Sequence, residues 1–167
     1  MKSLNTGLTA LPLLLTLHTA PTLAEEPLAI ELIRLSLDSA QKIAQGTINA
    51  CRKEGIHISV AIVDRDGTLQ VQLRDTLAAP ISLQISQMKA YTAANFNAPT
   101  SALTERANSA VGRVDGLVMS AGGVPIHGGG GQLLGAIGVS GAPAGETDEA
   151  CAKAGLDTLR DDLEMEL

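Results

Sequence analysis

Gly122-Gly123-Val124-Pro125-Ile126, then Leu134-Gly135-Ala136-Ile137-Gly138-Val139-Ser140-Gly141, then Asp148-Glu149-Ala150-Cys151-Ala152, is the stretch whose reading decides the fold. It reads as a strand, a glycine-rich connection, a second strand and the start of a helix. Gly128 to Gly131 are four consecutive glycines between the strands. Glycine serves loops that need a positive φ or a close backbone approach. Such a run is too flexible to be rigid by itself, so something packs on it, binds in it, or leaves it mobile.

Upstream, Ile30, Ile33, Leu37, Ala40, Ile43, Ala44, Thr47 and Ile48 recur at helical spacing, which predicts a helix within 28–54. His57 to Val63 and Thr68 to Arg74 are β-rich runs around Asp64-Arg65-Asp66-Gly67, a hairpin signal in which Asp64 makes an Asx contact. A second helix is expected over 82–95 with Ser82 as its cap, and a third over about 101–110 capped by Thr100. Short strands are expected at Leu117–Ser120 and Val124–His127, a last strand at Gln132–Ser140, and a final helix over about 148–164 capped by Thr147. Consecutive strands with helices at the ends and in the middle indicate an antiparallel α+β fold.

The N-terminus bears on the compartment. Lys2 precedes an apolar run from Leu8 to Leu17, and Thr22-Leu23-Ala24 offers small residues at a cleavage site. Residues 1–24 read as a secretory signal and 25–167 as a single domain, periplasmic or secreted. The alternative, a membrane anchor, is disfavoured because the run is about ten residues and a span needs about twenty. No membrane span is expected in the mature chain, and His57 and His127 are the histidines it keeps.

The formal net charge is −6, from 12 Lys and Arg against 18 Asp and Glu, and loss of Lys2 makes it more negative by one. Nucleic-acid binding needs a basic footprint, so no nucleic-acid partner is expected. Tyr91 and Phe96 are the aromatic residues, too few for a base-stacking platform or an aromatic cage. Acidic residues crowd into Asp161 to Glu166, which reads as a solvated helix end. Two cysteines in an exported chain invite a Cys51–Cys151 bridge; two separate buried thiols are the other reading. Neither C-x-x-C nor H-x₃₋₅-H spacing is present for a structural zinc.

Several blocks together resemble the GlcG/HbpS family, also called the haem-degrading domain family, which is similar to the C-terminal domain of PduO. They are Val60-Ala61-Ile62-Val63-Asp64 with Gly67, Lys89-Ala90-Tyr91-Thr92-Ala93 with Phe96 and Pro99-Thr100, the Gly122–Ile126 block, and Gly135–Gly141 with Asp148-Glu149 and Cys151-Ala152. The resemblance runs from about residue 28 to 160. It implies a five-stranded antiparallel sheet flanked by helices, of profilin-like type, a homo-oligomer, and exported members that bind haem, some linked to iron or redox sensing. Other members have no settled activity.

A haem site needs an axial donor, an apolar slot and often a cation for the propionates. His127 is the best donor by position, the alternative being a solvated loop histidine. His57 reads as a strand-end surface or interface residue, and Met88 and Met119 are alternative soft ligands. Lys89 is the candidate cation, brought by its helix to the rim of a pocket walled by Gly122, Gly123 and Val124-Pro125-Ile126, with Gly128–Gly131 as a flap. A surface lysine is the other reading of Lys89. Arg74 and Arg113 could also take a carboxylate. Ser140 is not in a G-x-S-x-G elbow, and no Lys-Ser/Thr follows the glycines as in a phosphate loop. An acid–base dyad could form if Asp115 or Glu105 approached Lys89. Two readings follow: an exported haem- or tetrapyrrole-binding protein handling or sensing haem and iron, or an enzyme or enzyme subunit acting on a small carboxylate in the same pocket.

Overall fold

The computed structural model describes residues 26–165, so the expected signal segment lies outside the described residues. The chain divides into two units after Glu31. In the first, the described residues 26–31 form neither helix nor strand and are exposed. The second, Leu32 onward, carries all the regular structure described below.

Helix α1 spans Leu37–Lys53 and buries Ala40, Ile43, Ala44, Thr47, Ile48 and Cys51, a stripe at the spacing that brings one helix face to the core. It starts nine residues later than the apolar spacing suggests. Ser36 is the reason: its backbone is extended and its hydroxyl accepts the Ser39 N–H at 3.2 Å, satisfying an otherwise orphaned donor. Ile30 and Ile33, expected on the helix stripe, are exposed instead.

Strands β1 (Ser59–Asp64) and β2 (Leu69–Arg74) form the expected antiparallel hairpin. Asp64 Oδ1 accepts the N–H groups of Asp66 and Thr68, both at 2.9 Å, so the Asx turn is present. Arg34 reaches back to the carboxylates of Asp64 and Asp66. Strands β3 (Gly123–His127) and β4 (Leu133–Ser140) complete an antiparallel sheet in the order β2-β1-β4-β3. Pro125, which lacks a backbone donor, sits on the edge strand β3, where a sheet tolerates it.

The described sheet has four strands, not five. Leu117–Ser120, expected as a strand, has no ladder partner. The Val118 N–H is taken instead by Thr92 Oγ1 at 2.9 Å, which ties this segment to the second helix. That helix, α2, spans Ile81–Phe96; Pro80 precedes it, and Ser82 lies inside the first turn, where its hydroxyl donates to Ala79 O, and is not the cap. The third expected helix is a 3-10 turn over Thr100–Arg106. Thr100 accepts the Gly123 N–H at 2.7 Å with the oxygen that would have capped it. The final helix is two: α3 (Gly145–Leu156), with Thr147 inside it, and α4 (Arg160–Met165).

Helices cover both faces of the sheet. One face packs Val60, Ile62, Ile126, Ile137 and Val139 against Ile43 and Ile48 of α1 and Ala152 and Leu156 of α3. Each buried Ile or Val there contributes about 1.5–3 kcal/mol relative to exposure. The other face packs Ala61, Val63 and Ala136 against Ala90, Ala93 and Ala94 of α2. Small residues bring α2 very close: a Cβ on Gly138 would stand 1.9 Å from Ser86 O. The Cys51–Cys151 disulfide is formed and joins α1 to α3, with a Cα–Cα distance of 5.5 Å. Nearby, a Cβ on Gly155 would stand 1.9 Å from Thr47 Oγ1, so the two helices cross in close contact. Among the described residues no helix is long and apolar enough to cross a membrane.

Candidate functional site

Strand β3 places its last residue, His127, at a cleft of about 930 Å³, within the range of small-molecule sites. Val124, Pro125 and Gly128–Gly131 line it. Lys153 and Leu156 of α3 and Arg160 of α4 also line it. The cleft is therefore built from residues that are adjacent only in the fold.

The local reasons can be read residue by residue. Ile126 pairs with Gly135 and His127 with Leu133, so Leu134 is an extra residue on β4 and the ladder bulges at the mouth of the cleft. Bulges re-aim side chains at sheet rims. The glycine run closes as a hydrogen-bonded turn, with Gly128 N–H donating to Gln132 O at 3.0 Å and Gly131 N–H to Gly128 O at 3.1 Å. Gly130 and Gly131 have φ of +73° and +78°, and a Cβ on either would meet nothing within 4 Å. These glycines answer to backbone conformation, not to packing. Asn97 ends α2 in the left-handed region, φ 46°, which Asn tolerates better than most residues. That turn aims its Oδ1 at His127 Nε2, 2.7 Å away. With the proton on Nε2, Nδ1 carries the lone pair, the arrangement by which a partner orients a ligating imidazole.

Of the residues singled out in the sequence, Pro125 and His127 line the cleft, whereas Lys89, Gly122 and Gly123 are buried together and do not line it. Lys89 is not a rim cation. It is 4 % exposed, and its Nζ donates to Asp148 Oδ2 and to Val139 O, both at 3.0 Å. Asp148 Oδ1 in turn accepts the Ala142 N–H at 2.9 Å. Burial pushes the Asp148 carboxyl above its usual range, against the opposing pull of the Ala142 N–H and Lys89. Gly122 makes room for this pair: its φ is +127°, and a Cβ there would stand 2.6 Å from Lys89 Nζ. Gly123 needs its small size for another reason, since a Cβ would stand 2.6 Å from Lys89 O.

Glu149, next to Asp148, is also buried. Its Oε1 accepts from Ser101 Oγ at 3.0 Å and Lys153 Nζ at 2.8 Å, and its Oε2 accepts the Gly122 N–H at 3.4 Å. Burial alone would raise its pKa; Lys153, Ser101 and Gly122 together hold it below the usual range.

The other candidates lie elsewhere. His57 stands before β1 with Nδ1 3.0 Å from Asp75 Oδ2, and Asp75 also receives Arg52 through two bonds of 2.7 Å. Arg74 donates to Ala78 O and Arg113 to Asn108 O, and neither lines the cleft. Glu105 and Asp115 are exposed, and Lys89 pairs with Asp148 and with neither of them. Met88 is half-buried and Met119 buried, both away from the cleft lining. Sequence reading missed Lys153 and Arg160. Their only local signal was a place near the C-terminal end of the chain, in a segment that reads as solvated helix.

An α+β sheet clasped by helices on both faces, with a histidine-bearing cleft at one end of an edge strand, defines the class of this protein. A family model described as "Haem degrading protein HbpS-like" matches residues 35–157. The chain belongs to this HbpS-like family. It is similar to a Glu-to-Asp double mutant of HbpS from Streptomyces reticuli, with 39 % identity over 85 % of this chain and 98 % of that one, at a TM-score of 0.75. The fold is shared with the protein ORFY of Klebsiella pneumoniae, at 23 % identity over 80 % of this chain and 96 % of that one, TM-score 0.74. It is also shared with PduOC in its haem complex, at 23 % identity over 75 % and 94 %, TM-score 0.68. No curated protein sequence matches the chain.

Proposed function

We propose that this protein binds haem or a related tetrapyrrole and serves in haem or iron handling or sensing. The observation that carries the reading is His127, at the edge of an apolar-walled cleft with its Nε2 engaged by Asn97. The donor set fits the group: one imidazole to hold the iron, and Val124, Pro125 and Leu156 to contact a flat apolar ring. Bound haem would supply iron chemistry; the chain's own residues bind it, orient the imidazole and limit water at the ring. Family membership supports the same reading, as does the haem held by PduOC on this fold. Adding haemin to the purified protein is expected to give a shifted Soret band, and His127→Ala to abolish it. An unshifted band with the intact protein would reject the reading. Stabilisation by small organic acids in its place would favour an enzyme acting on a carboxylate.

Two further parts of the reading concern setting. Export to the periplasm or medium rests on the Lys2, Leu8–Leu17 and Thr22–Ala24 pattern, and N-terminal sequencing of protein secreted from its host is expected to begin at Glu25. Homo-oligomerisation is supported by Leu77 and Ile81, 74 % and 59 % exposed near the start of α2, and by the open edge of β3. A solution mass of one chain at micromolar concentration would reject it.

A further inference from the structure

We propose that Lys153 and Arg160 form an anion rim that holds a pair of ligand carboxylates at the α3–α4 corner of the cleft. This rests on the haem reading, because a tetrapyrrole with two propionates presents such a pair along one edge. Both cations line the cleft and both are exposed enough to meet a ligand.

The two are held in different ways. Lys153 is preset from beneath. Glu149 is buried, fixed by Ser101 and the Gly122 N–H, and takes one Nζ donor of Lys153. An ammonium has three donors, so two remain for a ligand. Arg160 is held from the side: its Nε and Nη2 both point to Asp157 Oδ1, at 2.8 and 2.7 Å. Asp157 is itself exposed, and an exposed pair of this kind holds only weakly. A ligand carboxylate can therefore take the guanidinium fork from Asp157 at small cost, and gain bidentate geometry. Glu164 also lines the cleft and opposes an anion there. Its presence predicts a directional effect: removing its charge strengthens binding.

Both cations sit on either side of the turn between α3 and α4. Lys153 lies two residues beyond the bridged Cys151, and Arg160 opens α4 after the turn at 157–159. The disulfide thus anchors the helix that presents the first rim cation, and the turn presents the second.

The test compares haemin with haemin dimethyl ester, which has the same ring and iron but no carboxylates. The intact protein is expected to bind haemin about tenfold or more tightly than the ester, the scale of one or two charge-assisted hydrogen bonds. The double variant Lys153→Gln with Arg160→Gln is expected to bind both alike and to keep its Soret shift, and Glu164→Gln to bind haemin more tightly than the intact protein. A double variant that keeps the full preference for haemin overturns the rim while the haem reading stands. If the intact protein shows no Soret shift, the haem reading falls, and thermal shift with free dicarboxylates decides the rim. Stabilisation lost in the double variant then supports it; equal stabilisation, or none in either protein, overturns it. Both positions are exposed, and a circular-dichroism melt near that of the intact protein confirms that the double variant folds.

Discussion

Two lysines flank the Asp148-Glu149 pair, and they differ in almost everything except charge. Lys89 comes from α2, is buried, and donates to Asp148 and to Val139 O. Lys153 comes from α3 itself, keeps half its side chain in solvent, and leans on Glu149 beside the cleft. The first joins α2, β4 and α3 through the interior; the second lines the cleft. The difference teaches that a cation's role is set by what covers it. A buried pair fixes the structure and is costly to split, whereas a half-exposed pair exchanges partners easily.

Breaking the buried side has the largest expected effect. Lys89→Met leaves Asp148 buried without its partner, and denaturant unfolding should show a loss of about 3–5 kcal/mol. Adding Asp148→Asn to that variant should restore part of the loss, because it removes the unpaired buried charge while the amide oxygen can still accept the Ala142 N–H. The matching change on the other side, Lys153→Met, should alter stability by about 1 kcal/mol or less. Equal losses for the two lysines would dissolve the distinction.

The frame around the pairs can be tested next. Replacing both Cys51 and Cys151 with Ala should cost about 2–5 kcal/mol, since the bridge closes a loop of 100 residues. The intact protein should show no free thiol when denatured without reductant. Gly123→Val should cost about 1–3 kcal/mol or more through overpacking, read as a lowered melting temperature. The reason is the Lys89 carbonyl at 2.6 Å from a built Cβ, not a positive φ, which Gly122 has instead.

The smallest effect is expected from pH. Arg52 holds the Asp75 carboxyl well below the usual carboxylate range, helped by the Thr76 N–H and His57 against the opposing effect of burial, and Glu149 is also held low. A depressed folded-state pKa contributes stability above the unfolded value and loses it as pH falls through the folded one. Asp148 acts oppositely: its raised pKa favours the protonated form in the fold, a contribution present below the unfolded value and lost as pH rises. Melting temperature should therefore fall on acidification below about pH 4, and Asp75→Asn should flatten that fall. An unchanged slope in the variant would remove Asp75 as its source.

Much of the fold was legible along the chain because its signals are local. The α1 stripe, the Asp64–Gly67 turn, the glycine blocks and the paired cysteines each depend on residues within a few positions or on one chemical pairing. The resemblance implied a helix-flanked antiparallel sheet, which is present with four strands in place of five. The errors arose where a side chain chose between a local and a distant partner. Ser36, not Leu28, begins α1; Thr92 takes the Val118 N–H and with it the expected fifth strand; Thr100 serves Gly123 in place of a helix cap.

By itself, then, the sequence determined the first two helices, the hairpin, the two strands around the glycine run and the histidine beside that run. Only the tertiary structure decided which lysine is buried and which cations meet the cleft. The physical reason is distance along the chain. Lys89 is neutralised by a carboxylate 59 positions away, and His127 is oriented by an amide 30 positions away. Spacing within one segment states which face a residue occupies, but whether that face meets water, a counter-charge or a ligand depends on the element that packs against it.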